Sequence, residues 1–210
     1  MKPSRDLIPI VALGLACGLA PIATAEIIPV SPDGPLTIQA AVDLADDGDI
    51  VELLDGVYTG DGNRDITYHG KAITVRSQSG DPLACIIDSE GTESNPHRAF
   101  HFADAEGSDA VVEGLTIRGG HHSWSGGILA EVSCTPVIRN CRFIGNRGSE
   151  GAGLCTKDAA LIEDCWFEDN VSTSHGGGAS AACNLGWAST FLRCTFVNNT
   201  AGQYGGGFRC

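Results

Sequence analysis

Two stretches decide the fold: IRNCRFIGN at residues 138–146 and IEDCWFEDN at residues 162–170. Set one above the other, they match in Ile, Cys, Phe and Asn, at the same spacing. VEGLTIRGG at 112–120 precedes them in the same frame, and LRCTFVNN at 192–199 follows, one residue shorter. Leu115, Cys141, Cys165 and Cys194 share one column, with steps of 26, 24 and 29 residues. Ile117, Phe143, Phe167 and Phe196 lie two residues further on, and Gly120, Asn146, Asn170 and Asn199 three beyond those. Each segment leads into a glycine cluster ending at Gly127, Gly153, Gly178 and Gly207.

Internal repetition at one fixed period is the mark of a solenoid. Residues at spacing two share one face of a strand. A helical repeat would need apolar residues at i, i+3, i+4 and i+7, and these are absent. Short strands, bends and glycines recurring about every 25 residues therefore describe an all-β parallel β-helix, right-handed by the crossover rule for parallel strands. Stacked coils would line up like on like, giving internal ladders of Cys, Phe and Asn. Parallel cysteines one coil apart sit at strand spacing, wider than a disulfide's usual Cβ separation of about 3.8 Å, so the Cys column reads as an apolar ladder. Gly114, Asn140 and Asp164 precede that column and suit a sharp left-handed bend. Arg193 breaks the pattern and predicts a different bend in the last coil.

Outward from the repeats, residues 1–25 read as a secretory signal peptide. Lys2 and Arg5 open it, an apolar run follows from Leu7 to Ala20, and Ala23-Thr24-Ala25 is a small-x-small cleavage site. Cys17 offers a lipoprotein anchor as the alternative, although Gly14 is a poor match for one. Residues 26–110 form the N-terminal cap and first coils, and residues 111–210 the repeated coils. Thr37 is placed to cap a short helix from Ile38 to Ala45, a lid over the open end of the core. Ile50-VELL, Ala72-ITVR, Cys85-IID and Ala99-FHF read as early strands. GGGFRC (205–210) falls within a coil, so a longer exported chain is expected. Nothing after the leader is apolar enough to cross a membrane.

The net charge is −13, with 26 acidic residues against 13 basic ones. That excludes a nucleic-acid partner, which needs a basic stripe. Of nine cysteines, eight follow the leader, and no CxxC spacing suggests zinc. No cofactor is implied. Asp46-Asp47-Gly48-Asp49 reads most simply as a turn, with Ca²⁺ as the alternative.

The chain resembles a known group. TIQAAVDLADDGDIVELLDGVYTG (37–60), followed by GKAITVRS (70–77), looks like the start of pectin-lyase-like β-helix proteins. The FIGN, FEDN and FVNN segments before glycine clusters are similar to the FxxN and GGA repeats of polymorphic outer-membrane proteins. The resemblance implies an exported protein, secreted or on the surface or outer membrane of a bacterium. That superfamily contains polysaccharide lyases, hydrolases and esterases as well as adhesins and passive stalks, so fold does not choose among them. The polygalacturonase-type NTD, DD, GHG and RIK motifs are absent, and Tyr68-His69-Gly70-Lys71 is only a distant echo.

Three residues before each last glycine lie Trp124, Glu150, His175 and Tyr204. In register they would form one exposed column, with His121 and His122 in the same loop as Trp124. Aromatic faces pack on pyranose rings and polar neighbours take hydroxyls, so these six residues are the candidate glycan-binding set. Past the glycines, Glu131, Lys157 and Asp158 are candidates for a catalytic group, with His175 beside them. A carboxylate–lysine cluster suits Ca²⁺ and proton abstraction next to a uronate. Trp166 lies between inward Cys165 and Phe167, so it should point outward and pack against a neighbouring loop, with a second stacking platform as the alternative. An adhesin-like carbohydrate-binding module is the leading expectation. A polysaccharide lyase or hydrolase and a purely structural passenger are the alternatives.

Overall fold

The computed structural model describes residues 24–181 and 188–210. The signal-peptide reading, Cys17 and Cys183 fall wholly or mainly outside the described residues.

The repeat that begins at Val111 winds through three short strands, and the last three repeats each through four. In the coil that begins at Val137 these are Val137–Arg139, Arg142–Ile144, Arg147–Glu150 and Leu154–Thr156. Each strand pairs in parallel with its counterpart one coil away, giving sheets of seven, six, three and five strands. Phe143 sits opposite Ile117 on one side and Phe167 on the other, the register expected from the aligned sequences. Two strands escaped the pattern, Ile27–Val30 and Gly56–Tyr58. Both belong to the N-terminal region, where the repeat is weakest.

The interior is built of ladders. Phe143, Phe167 and Phe196 stack face to face, with centroids 4.7 and 4.8 Å apart and ring planes within 8°. Cys141, Cys165 and Cys194 run beside them as free thiols. Cys85 lies in the same column, separated from Cys141 by Leu115, because Ile86 pairs with Thr116 and Thr116 with Arg142. The glycine clusters let neighbouring coils touch backbone to backbone. A Cβ on Gly153 would lie 2.6 Å from the Gly178 carbonyl oxygen and 3.1 Å from the Phe143 and Phe167 side chains.

The bend before the Cys column is left-handed in all four coils, with φ of 71° at Gly114, 50° at Asn140, 53° at Asp164 and 53° at Arg193. The expectation that Arg193 bends differently is thus corrected. Its guanidinium grips the Asp164 carboxylate below at 2.6 and 2.8 Å, which holds an unfavourable residue in the same conformation.

The lid is the helix Ile38–Leu44, capped by the Thr37 hydroxyl and burying Ile38, Ala41 and Val42. Lys71 Nζ donates to the carbonyls of Val42, Asp43 and Ala45 at 2.8–2.9 Å and closes the helix's C-terminal end. The Asp46–Asp49 segment is a turn. Asp49 accepts from the amides of Glu26 and Asp46, and Asp47 from that of Ala72. No helix among the described residues is long and apolar enough to cross a membrane.

Candidate functional site

The five-stranded sheet carries the site on its outer face. Its strands are Phe100–Phe102, Ile128–Ala130, Leu154–Thr156, Ala179–Ala181 and Phe208–Arg209. Alternation sends the first and third residues of each three-residue strand inward. The middle residues then form an outward column: His101, Leu129, Cys155, Ser180 and Arg209. An outward residue is normally wet, yet Leu129, Cys155 and Ser180 are fully buried, and Leu129 and Cys155 lie outside the main core cluster. Polar side chains roof them over. Arg98, Glu131, Glu150 and Lys157 are the charged groups around Cys155. Burial pushes that thiol up to about 12, so it stays protonated and inert at neutral pH.

One bank of this face is the pair Glu131 and Lys157, each directly after its strand. Lys157 Nζ lies 2.6 Å from Glu131 Oε2, and His101 Nε2 is 3.7 Å from Glu131 Oε1. Trp124 comes over from the opposite loop and covers the ammonium, its ring centroid 3.9 Å from Nζ. Asp158, expected alongside, is elsewhere. Its carboxylate accepts from the Ser133 and Ala159 amides and shapes a loop.

The other bank is the stack of Glu150, His175 and Tyr204, which are bridged coil to coil. His175 Nδ1 lies 2.8 Å from Glu150 Oε1, and its ring stacks on Tyr204 with centroids 5.5 Å apart at 14°. Arg209 Nη1 lies 3.5 Å from Glu150 Oε2. Glu150 and His175 are four-fifths covered, whereas Tyr204 is 69% exposed and Trp124 43%. The expected column therefore holds for three members. Trp124 stays tied to Glu150 through its backbone, its carbonyl accepting the Glu150 amide, but its side chain leaves the column because the ring turns to Lys157.

A coiled solenoid whose strands fall into parallel sheets, with a polar outer face on one of them, matches one family model. That model, described as right handed beta helix region, covers residues 57–209. The chain belongs to the right-handed β-helix family. No curated protein and no solved structure matches it.

In this right-handed β-helix the two histidines of the Trp124 loop part company. His121 pairs through its backbone with His97 and Arg147. His122 Nδ1 contacts Ser123 Oγ and, in a short hydrogen bond, Arg98 Nη2. Both line an open cleft of about 300 Å³ with Ser123, Ser149 and Thr173. Trp166 points outward, as its place in the strand requires. It packs under the Arg142 guanidinium, 5.6 Å from the ring centroid, and its indole N–H donates to Glu168. Among the described residues, no group of three metal-binding side chains converges.

Sequence reading missed Arg98, His101, Cys155 and Arg209. A signal for His101 was there: carried one coil back, the alternation puts a histidine between two inward phenylalanines in Phe100-His101-Phe102. Arg98 carries no such signal, since only packing buries it.

Proposed function

We propose that this β-helix is an exported module, secreted or on the cell surface, that binds a glycan across the outer face of its five-stranded sheet. The observation that carries the reading is the pair of exposed aromatic rings, Trp124 and Tyr204, at either bank of a face lined by Glu131–Lys157 and Glu150–His175. Sugar sites combine flat apolar surfaces with hydrogen-bonding groups of fixed direction. Here each aromatic ring is held by a partner below it, so little ordering remains to be done on binding. Cys155 and Ser180 form a dry floor, too deeply covered to act as nucleophiles.

The test is affinity electrophoresis through gels containing plant, algal or bacterial polysaccharides. Wild-type protein should be retarded by at least one polymer. Trp124→Ala combined with Tyr204→Ala should remove that retardation, each ring contributing about 1 to 3 kcal/mol. Mobility unchanged in every polymer would sink the reading.

A polysaccharide lyase or hydrolase is the second reading, favoured by the His101–Glu131–Lys157 cluster, which could move a proton. Release of reducing ends or unsaturated products from the same polymers, with or without Ca²⁺, would select it. Loss of those products in Glu131→Gln would place the chemistry there.

A further inference from the structure

Arg98 is the most buried charged side chain on this face, at 5% exposure. Its Nη2 contacts His122 Nδ1, and its Nη1 is buried without a hydrogen-bond partner. No carboxylate of the described residues lies within ion-pair distance of it. The next most covered arginines are different: Arg64 pairs with Asp61 and Glu90, and Arg142 with Glu168. A neighbouring imidazole nitrogen, His97 Nε2, is likewise buried without a hydrogen-bond partner, and His101 Nε2 makes no hydrogen bond closer than its 3.7 Å approach to Glu131. Arg98, Asp65, His101 and His97 all act on His122, so the five side chains form one cluster, in which the Asp65 carboxylate is held by His97 Nδ1 at 2.5 Å. Burial first, and then the Arg98 charge, hold His101 and His122 below the ordinary imidazole value, so neither adds a competing cation at neutral pH.

Asp65 and Glu131 act on this guanidinium only from beyond ion-pair distance, and a buried cation without a direct carboxylate partner is costly, so a fold that keeps one has a use for it. The guanidinium fork matches two oxygens of a carboxylate or sulfate, and neutral imidazole N–H groups add further donors. We propose that Arg98, with His101 and His122 beside it, is an oxyanion subsite for a carboxylate or sulfate group. His122 is the layer between the 300 Å³ cleft and the guanidinium, so the anion enters where that ring now sits. The subsite rests on the glycan-binding reading only for the source of the anion, which is either free in solution or a substituent of the glycan.

The experiment is thermal unfolding of the full chain in sodium sulfate or sodium glucuronate against sodium chloride at equal ionic strength, for wild type, Arg98→Gln and Arg98→Lys. Wild type should gain a saturable rise in Tm with the oxyanions. Arg98→Gln should lose it, and Arg98→Lys, which keeps the charge but not the fork, should need about tenfold more anion. No saturable rise in wild type, or the same rise in Arg98→Gln, overturns the subsite. If Arg98→Gln does not fold, an unchanged midpoint in Arg98→Lys overturns it equally. Retention on neutral and uronate- or sulfate-bearing forms of one glycan then separates the sources. An acidic preference lost with Arg98 assigns the anion to the glycan. Equal retention beside an Arg98-dependent rise in Tm assigns it to a free oxyanion. Absence of retention on any polymer removes the glycan reading alone, because the anion titration does not depend on it.

Discussion

Asn170 accepts from Asn146 twice: its Oδ1 takes both the backbone N–H and the side-chain amide of Asn146, at 3.0 and 3.1 Å. Asn170 then donates in the same way to Asn199 and also to the Phe143 carbonyl. A ladder of amides thus closes the turn of each coil and couples it to the next. Asn146 and Asn170 are fully buried, so every one of these groups needs its partner.

Asn170→Ala should therefore cost about 3 kcal/mol, since it leaves the Asn146 backbone N–H buried and unpaired and removes the side-chain donor to the Phe143 carbonyl. Asn170→Asp should be similarly destabilising, because a carboxylate cannot replace the side-chain donations to Asn199 Oδ1 and the Phe143 carbonyl. Urea unfolding followed by far-UV circular dichroism measures both. A loss under 1 kcal/mol in either variant would mean that the ladder is ornamental.

Gly153→Ala should cost about 3 kcal/mol through overpacking, given the 2.6 Å approach to the Gly178 carbonyl. Gly145→Ala is the control. Its φ is +64° but nothing lies within 4 Å of the added Cβ, so only backbone strain of about 1 kcal/mol applies. Equal losses in the two variants would refute close coil contact as the reason for the glycine clusters.

Stability should fall with acidification below the ordinary imidazole value of 6.5. His101 and His122 are both held below that value in the folded chain, so the unfolded chain binds more protons in the window beneath it. Their contribution is complete above pH 6.5 and is lost progressively as pH drops through the folded values. Denaturant midpoints at about pH 7.5 and pH 5 should differ more for wild type than for the His101→Gln, His122→Gln double variant. An identical pH response in the two proteins would remove these histidines from the acid sensitivity.

The sequence by itself determined the architecture. Cys141, Phe143 and Asn146 recur with Cys165, Phe167 and Asn170 at fixed spacing, and strand alternation together with parallel stacking leaves one solution for such a pattern. The lid helix was legible from Thr37 and its buried stripe, since capping and amphipathicity are local properties. Only the tertiary structure decided which side chains meet on the candidate face. The period places Trp124 above Glu150, but the ring turns to Lys157, because the pull of an ammonium on an aromatic face depends on a side chain 33 positions away in sequence. Asp158 adjoins Lys157 in the chain yet serves a loop, because two amides lie closer to it than the groove does. Arg98 looks like any exposed cation until the loops of later coils close over it. Burial is a sum over distant parts of the chain, whereas a repeat is written in each coil separately.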